Sequence, residues 1–166
     1  MEENKVKHTI QRIGGYLHKV TSVVDGTGKV VHTVVSPFMV ELRPKDILQI
    51  IIGATILAIP VGLTEETWIL AKELPLRNVF ALGLISFFFI ALFVYFNFYR
   101  FNLKGYIGQY IKRVIAIYGL SLFVVGLLLT LIEKCPWGVD NLLALKRIII
   151  TALPASMAAT ISDTMK

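Results

Sequence analysis

Residues 114–132 read VIAIYGLSLFVVGLLLTLI, a stretch interrupted only by Ser121 and Thr130 and free of charged side chains. A run of about 18 or more apolar residues is long enough to cross a bilayer as a helix, so this stretch predicts a membrane span. Three further spans flank it. The first opens at Pro44, whose missing N–H costs nothing in the first turn of a helix. Asp46 follows, where the positive end of the helix dipole favours an acid. From Ile47 to Leu63 only Gln49 and Thr55 are polar. After Pro60 and Gly62 the helix either bends and continues to about Lys72, or stops and restarts with Thr64 as a cap, so this span occupies about 46–72. The second covers about 78–99 and is crowded with Phe87, Phe88, Phe89, Phe93 and Phe96. The fourth, about 142–162, carries Lys146 and Arg147 early and passes Pro154.

Composition agrees. Hydrophobic residues make up 55% of the 166, only 17% are charged, and mean hydropathy is +0.70. A soluble domain has nearer a quarter of its residues charged. The fold class expected is an all-α membrane protein, a four-transmembrane-helix bundle over residues 46–166. The first 40 residues hold no uninterrupted apolar h-region, so no cleavable signal peptide is expected. Glu2, not Gly, follows Met1, so no N-myristoylation is expected. Cys135 is the single cysteine, which excludes an internal disulfide or a multi-cysteine metal site.

Residues 1–45 form a polar, basic, β-prone segment. Two runs rich in β-branched residues, Tyr16 to Val24 and Lys29 to Val35, flank Asp25-Gly26-Thr27-Gly28, whose Asp and Gly suit a hairpin turn. A small cytoplasmic β-hairpin is expected, with Phe38 to Leu42 as a candidate third strand. So small a sheet needs support from helices or from a neighbouring subunit. The connector from Arg100 to Arg113 mixes bases with Tyr106, Ile107 and Tyr110, and is expected to lie along the interface.

Lys and Arg set the orientation. With the N-terminus inside, the cytoplasmic side holds Lys5, Lys7, Arg12, Lys19, Lys29, Arg43, Lys45, Arg100, Lys104, Lys112, Arg113 and Lys166. The other side holds Lys72, Arg77, Lys134, Lys146 and Arg147. Both termini are therefore expected in the cytoplasm, with Trp68 and Trp137 at the outer boundary. The same rule accounts for the net charge of +6 without nucleic acid.

Ionisable residues in or near a membrane are candidate functional groups, because each costs at least about 2.5 kcal/mol if it faces lipid. Glu65 and Glu66, just past the Pro60/Gly62 break, could draw a cation toward an outer mouth, or could simply answer the dipole of a restarted helix. Lys146 and Arg147 fall on the same side, where they either bridge to those glutamates or snorkel to the headgroups. Asp163, with Thr160 and Ser162, ends the last span near Arg43, Lys45, Lys112 and Arg113, as an ion-binding inner mouth or as a partner for those bases. Ala155, Ser156, Ala158, Ala159 and Thr160 give the fourth helix a face for close backbone packing, and Gly53 and Ala54 do the same for the first. His8, His18 and His32 lack metal-ligand spacing. No phosphate loop, nucleophile elbow or zinc-protease motif is present, so neither an enzyme nor a cofactor is expected.

The stretch Met39-Val-Glu-Leu-Arg-Pro-Lys-Asp-Ile-Leu-Gln, continuing through Gly53 and Ile59-Pro60 to Thr64-Glu-Glu-Thr-Trp68, resembles a family of prokaryotic integral membrane proteins, mainly archaeal and cyanobacterial, known as a domain of unknown function. The likeness is strongest over residues 38–99, with a weaker echo from Ile148 to Asp163. It implies a multi-span protein of a prokaryotic plasma membrane and carries no activity. Four short helices enclose little volume, so any pathway is expected at the axis of a homo-oligomer. The leading expectation is a cation channel or transporter with Glu65 and Glu66 outside and Arg43 and Lys45 inside. The alternative is a membrane scaffold or sensor that binds a cytoplasmic partner through its N-terminal hairpin. A lipid-modifying enzyme is a weaker third.

Overall fold

The computed structural model describes residues 5–24, 30–38, 40–100 and 103–165. The chain divides into two units, one ending at Glu41 and one beginning at Leu42.

The first unit is a three-stranded antiparallel sheet in the order β1-β2-β3, formed by β1 (Lys5–Ile13), β2 (Tyr16–Val24) and β3 (Val30–Pro37). The β2–β3 hairpin lies where it was expected, while its turn, Asp25 to Lys29, falls outside the described residues. The third strand is not Phe38 to Leu42 but Lys5 to Ile13. Gly14 and Gly15, with φ of +59° and +87°, supply the two positive-φ positions of a two-residue turn between Ile13 and Tyr16. The Phe38 N–H donates to the Leu17 carbonyl at 3.0 Å, and Glu41 returns to β2. One of its oxygens accepts the Leu17 N–H at 2.9 Å and the other takes Arg12 Nη2 at 2.7 Å.

The second unit is helical: α1 (Pro44–Gly62), α2 (Glu65–Glu73), α3 (Leu76–Val94), α4 (Leu103–Leu131) and α5 (Asn141–Thr164). α3 runs on into a single π-helical turn, Tyr95–Tyr99. Among the described residues four segments are long and apolar enough to cross a membrane: Pro44–Gly62, Leu76–Tyr99, Gly105–Leu131 and Asn141–Thr164. Two expected boundaries move. The first span stops at Gly62 rather than reaching Lys72, and Thr64 sits before a separate α2. The Trp68 indole N–H donates to the Gly62 carbonyl at 2.9 Å, occupying one of the acceptors that the helix end leaves open. The second correction is larger. The Arg100–Arg113 connector is not an interfacial strap, because helix resumes at Leu103, kinks at Tyr106 (φ −134°), and draws Arg113 into the third span.

Each span presents a stripe of small or β-branched residues to its neighbours. On α1 the stripe is Asp46, Ile50, Gly53, Ala54, Ala58 and Gly62, spaced by three or four residues as one helical face requires. On α5 it includes Ala144, Ile148, Ala152, Ala155, Ala159 and Asp163. The two helices meet antiparallel along these stripes. A β-carbon added at Gly53 would lie 2.5 Å from Ser162 Cβ and 2.8 Å from the backbone of Ala158 and Ala159. Gly53 is thus where the backbones touch, which fulfils the small-residue packing read from the sequence. α5 also packs against α2, α3 and α4, and a buried Ser86–Ser156 hydroxyl pair at 2.7 Å links it to α3. Side chains such as Ile52, Ile56, Leu84, Phe88, Phe123 and Leu127 point outward. A soluble core would waste them, but a bilayer solvates them.

Candidate functional site: a buried arginine between two aspartates

The α4 stripe of Ile117, Ser121, Val125 and Leu129, all buried, extends one turn toward the helix start to Arg113. That spacing points a guanidinium into the bundle. Arg113 is 0% exposed, and its charge is met from two helices. Its Nε and Nη2 donate to the two oxygens of Asp163, at 2.7 and 3.0 Å. Nη2 also donates to Oδ2 of Asp46 at 3.0 Å. Asp163 is 0% exposed and Asp46 is 2% exposed. The fork geometry of the first pair is the strongest that arginine forms with a carboxylate.

Local structure explains each placement. Asp46 occupies the first turn of α1, where its Oδ2 also accepts the Arg43 N–H at 3.1 Å. The acid therefore caps α1 and binds Arg113 with the same oxygen. Asp163 lies in the last turn of α5, at the end of the dipole that disfavours an acid, and Arg113 supplies the compensating charge. From the π-helical turn, Phe98 places its ring 4.0 Å from the guanidinium carbon, a cation–π contact. Tyr99, fully buried, stands beside the same group and meets Tyr110 edge-on at 5.3 Å. A π-turn inserts one extra residue into a helix and often marks a functional site. Here it brings two consecutive aromatic residues to one arginine.

Of the residues expected to carry function, Asp163 is in this cluster, with Arg113 as its partner. Lys45 is exposed, and Arg43 is half-buried with its backbone on Asp46. Glu65 and Glu66 are exposed in the first turn of α2, and among the described residues neither pairs with a base. Lys146 and Arg147 take backbone partners instead. Lys146 donates to the Leu74 carbonyl at 2.5 Å, just past α2, and Arg147 to the Lys134 carbonyl, just past α4. Helix ends leave such carbonyls open, and a cation there is favoured twice, by the hydrogen bond and by the dipole. The side chain of His8 falls outside the described residues, His18 bonds the Tyr16 carbonyl at 3.0 Å, and His32 is exposed. Among the described residues no group of three metal-ligating side chains gathers.

Sequence reading gave Asp46 no functional role and named Arg113 only as one of four bases near Asp163, because each had a sufficient local explanation, the helix dipole for one and the positive-inside rule for the other. The signal was periodicity: both continue the buried stripe of their own helix at a spacing of four.

The only cysteine, Cys135, is buried in the α4–α5 loop, and burial raises its thiol pKa. The described grooves between helices are apolar. One of about 420 Å³ runs between α3 and α5, and a second of about 300 Å³ lies against Tyr118.

No curated protein and no solved structure matches the chain. A family model described as "Putative integral membrane protein (DUF2391)" matches residues 26–162, a range that holds the first three spans, all but the last two residues of the fourth, and Asp46 and Arg113 of the buried cluster, and that ends one residue before Asp163. The chain therefore belongs to this family of integral membrane proteins, whose function is unassigned.

Proposed function

We propose that the protein is a carrier or channel for small cations, protons included, working as a closed homo-oligomer with both termini in the cytoplasm. The observation that supports this reading is the stoichiometry of the buried cluster. Arg113 is met by two acids, so the cluster holds one acid more than its single arginine balances. A second intramembrane acid is costly to keep, and such residues typically mark ion paths. The cluster lies at the end of the bundle where α1 starts and α5 ends. Glu65 and Glu66 lie at the opposite end, exposed and unpaired among the described residues, where they would draw cations toward the mouth. The close α1–α5 contact and the apolar grooves favour a path between subunits over one through a single bundle.

Cation and proton flux into liposomes holding the purified protein tests this, with Asp46→Asn and Glu65→Gln/Glu66→Gln compared against wild type. Flux above empty liposomes that falls in both variants is the expected result. A correctly folded protein that passes no cation overturns it.

A second reading has its own support. In the N-terminal sheet every residue of β2 stays partly accessible, and Val30, Val31, Val34 and Val35 of β3 are exposed. A three-stranded sheet so little covered is marginal alone. It would gain stability from a partner, as a scaffold or sensor would require. Deleting residues 1–36 should then abolish capture of a cytoplasmic partner while membrane insertion survives.

A further inference from the structure

The groove between α3 and α5 is lined by Phe89, Phe93, Phe96, Met157 and Ile161, with Asn97 and Thr160 as its polar members. Each of these polar side chains makes a hydrogen bond within its own helix. Asn97 Nδ2 donates to the Phe93 carbonyl at 2.9 Å, and Thr160 Oγ1 to the Ser156 carbonyl at 2.6 Å. The groove thus offers hydrocarbon and aromatic surface to whatever enters. Phe89, Phe93, Phe96 and Ile161 are all exposed on the outside of the bundle, so entry is sideways, from the bilayer. A flexible hydrocarbon chain fits that chemistry, and a polar solute does not.

Charge at the end of the groove narrows the occupant. Asn97 lies within the π-turn that ends the second span at Tyr99, and exposed Arg100 follows directly. Arg100 is therefore the first residue past the apolar span, where the headgroup layer of a bilayer begins. At this end of the helical unit the described acids are Asp46 and Asp163, both withdrawn onto Arg113. The exposed charges that remain are Lys45, Arg100 and Lys112, all positive. The opposite end exposes Glu65, Glu66, Glu73, Glu133 and Asp140 alongside Lys72 and Arg77. Anionic headgroups are therefore attracted more strongly to the first end, where bases are exposed without acids, and the groove reaches toward it through Phe96, Asn97 and Ile161.

We propose that this groove is a binding site for an anionic phospholipid, with one acyl chain between α3 and α5 and the phosphate at Arg100. The site stands independently of any transport role. A headgroup-level arginine contributes roughly a fivefold preference for an anionic over a zwitterionic lipid. Ile161→Trp places a large ring in the groove from an exposed position and leaves Arg100 in place.

The test is native mass spectrometry of the protein released from vesicles of equal phosphatidylglycerol and phosphatidylcholine. Wild type should retain phosphatidylglycerol preferentially, and Arg100→Gln should lose about fivefold of that preference while still holding lipid. Ile161→Trp should lose retained lipid of both kinds. Equal retention of the two lipids by wild type would overturn the proposal. So would an unchanged preference in Arg100→Gln, or lipid-free dimers in place of lipid-bound protein, which would make the groove a subunit contact.

Discussion

Removing the arginine should cost more than removing either acid, and the order can be worked from the hydrogen bonds that Arg113 donates to Asp46 and Asp163. Arg113→Gln leaves Asp46 and Asp163 facing each other inside the bundle without a counter-charge. Losing one partner of a buried pair costs about 3–5 kcal/mol, and here two acids are stranded at once. Asp163→Asn leaves one acid for one base. Of its two bonds, at 2.7 and 3.0 Å, one is weakened to an amide oxygen and the other is lost to an NH2 that cannot accept, for about 2 kcal/mol. Asp46→Asn weakens a single bond to Arg113 at 3.0 Å and a backbone cap at 3.1 Å, for about 1 kcal/mol. The double variant Asp46→Asn/Asp163→Asn strands a buried guanidinium and should exceed the sum of its singles by about 1 kcal/mol or more. Unfolding by SDS in mixed micelles, followed by far-UV circular dichroism, measures all four on one scale. The unfolded chain stays in the micelle and finds partial partners, so the lower half of each range applies. An Asp163→Asn variant as unstable as Arg113→Gln, or a double variant equal to the sum of its singles, would refute the shared-arginine account.

Gly53→Ala should destabilise by about 1–3 kcal/mol in the same assay. Its methyl would meet backbone at 2.8 Å, which outweighs the roughly 1 kcal/mol that alanine gains over glycine in a helix. Gly119→Ala, with nothing within 4 Å, keeps that gain and is the control; two equal effects would remove Gly53 from the helix contact. Ser86→Ala and Ser156→Ala should show a coupling of about 0.6 kcal/mol in a double-mutant cycle, typical of hydrogen bonds between membrane helices, and a coupling of zero would disconnect the pair. Cys135 should react with maleimide more slowly in the folded protein than in SDS at neutral pH. Its raised pKa means the folded state holds the proton to higher pH than the unfolded state. Stability should therefore decline as pH rises through the ordinary thiol range, and labelling at the free-thiol rate would contradict the burial.

Much of this architecture was legible in the sequence, and the errors have definite physical sources. Uninterrupted apolar runs announced four spans, because nothing else in a protein of this size calls for so much unbroken hydrocarbon. Their ends were harder to read. Gly62 and Glu65 lie three residues apart, and composition alone does not tell a bent helix from a broken one. The Tyr106 kink hid the resumption of helix at Leu103, so Arg113 was read as part of an interfacial strap. The extra strand at Lys5–Ile13 was overlooked because Gly14-Gly15 carries its turn signal in backbone conformation rather than in a polar side chain. The small-residue faces of α1 and α5 could be read because close helix packing admits few side-chain types. The partner of Asp163 could be narrowed to nearby bases but not chosen, since that choice depends on which face of α4 turns inward.

The buried cluster and the surface charge of the helical unit are two consequences of one arrangement. If Asp46 and Asp163 were exposed beside Lys45, Arg100 and Lys112, that end would carry nearly balanced charge and little attraction for anionic headgroups. By drawing both acids inside, Arg113 leaves the exposed charge at that end positive. The opposite end keeps its exposed acids, because Lys146 and Arg147 are held on helix-end carbonyls and do not bridge to Glu65 or Glu66. An Arg113 substitution would therefore act twice, once on the packing of α1, α4 and α5, and again on the surface that meets the lipid headgroups.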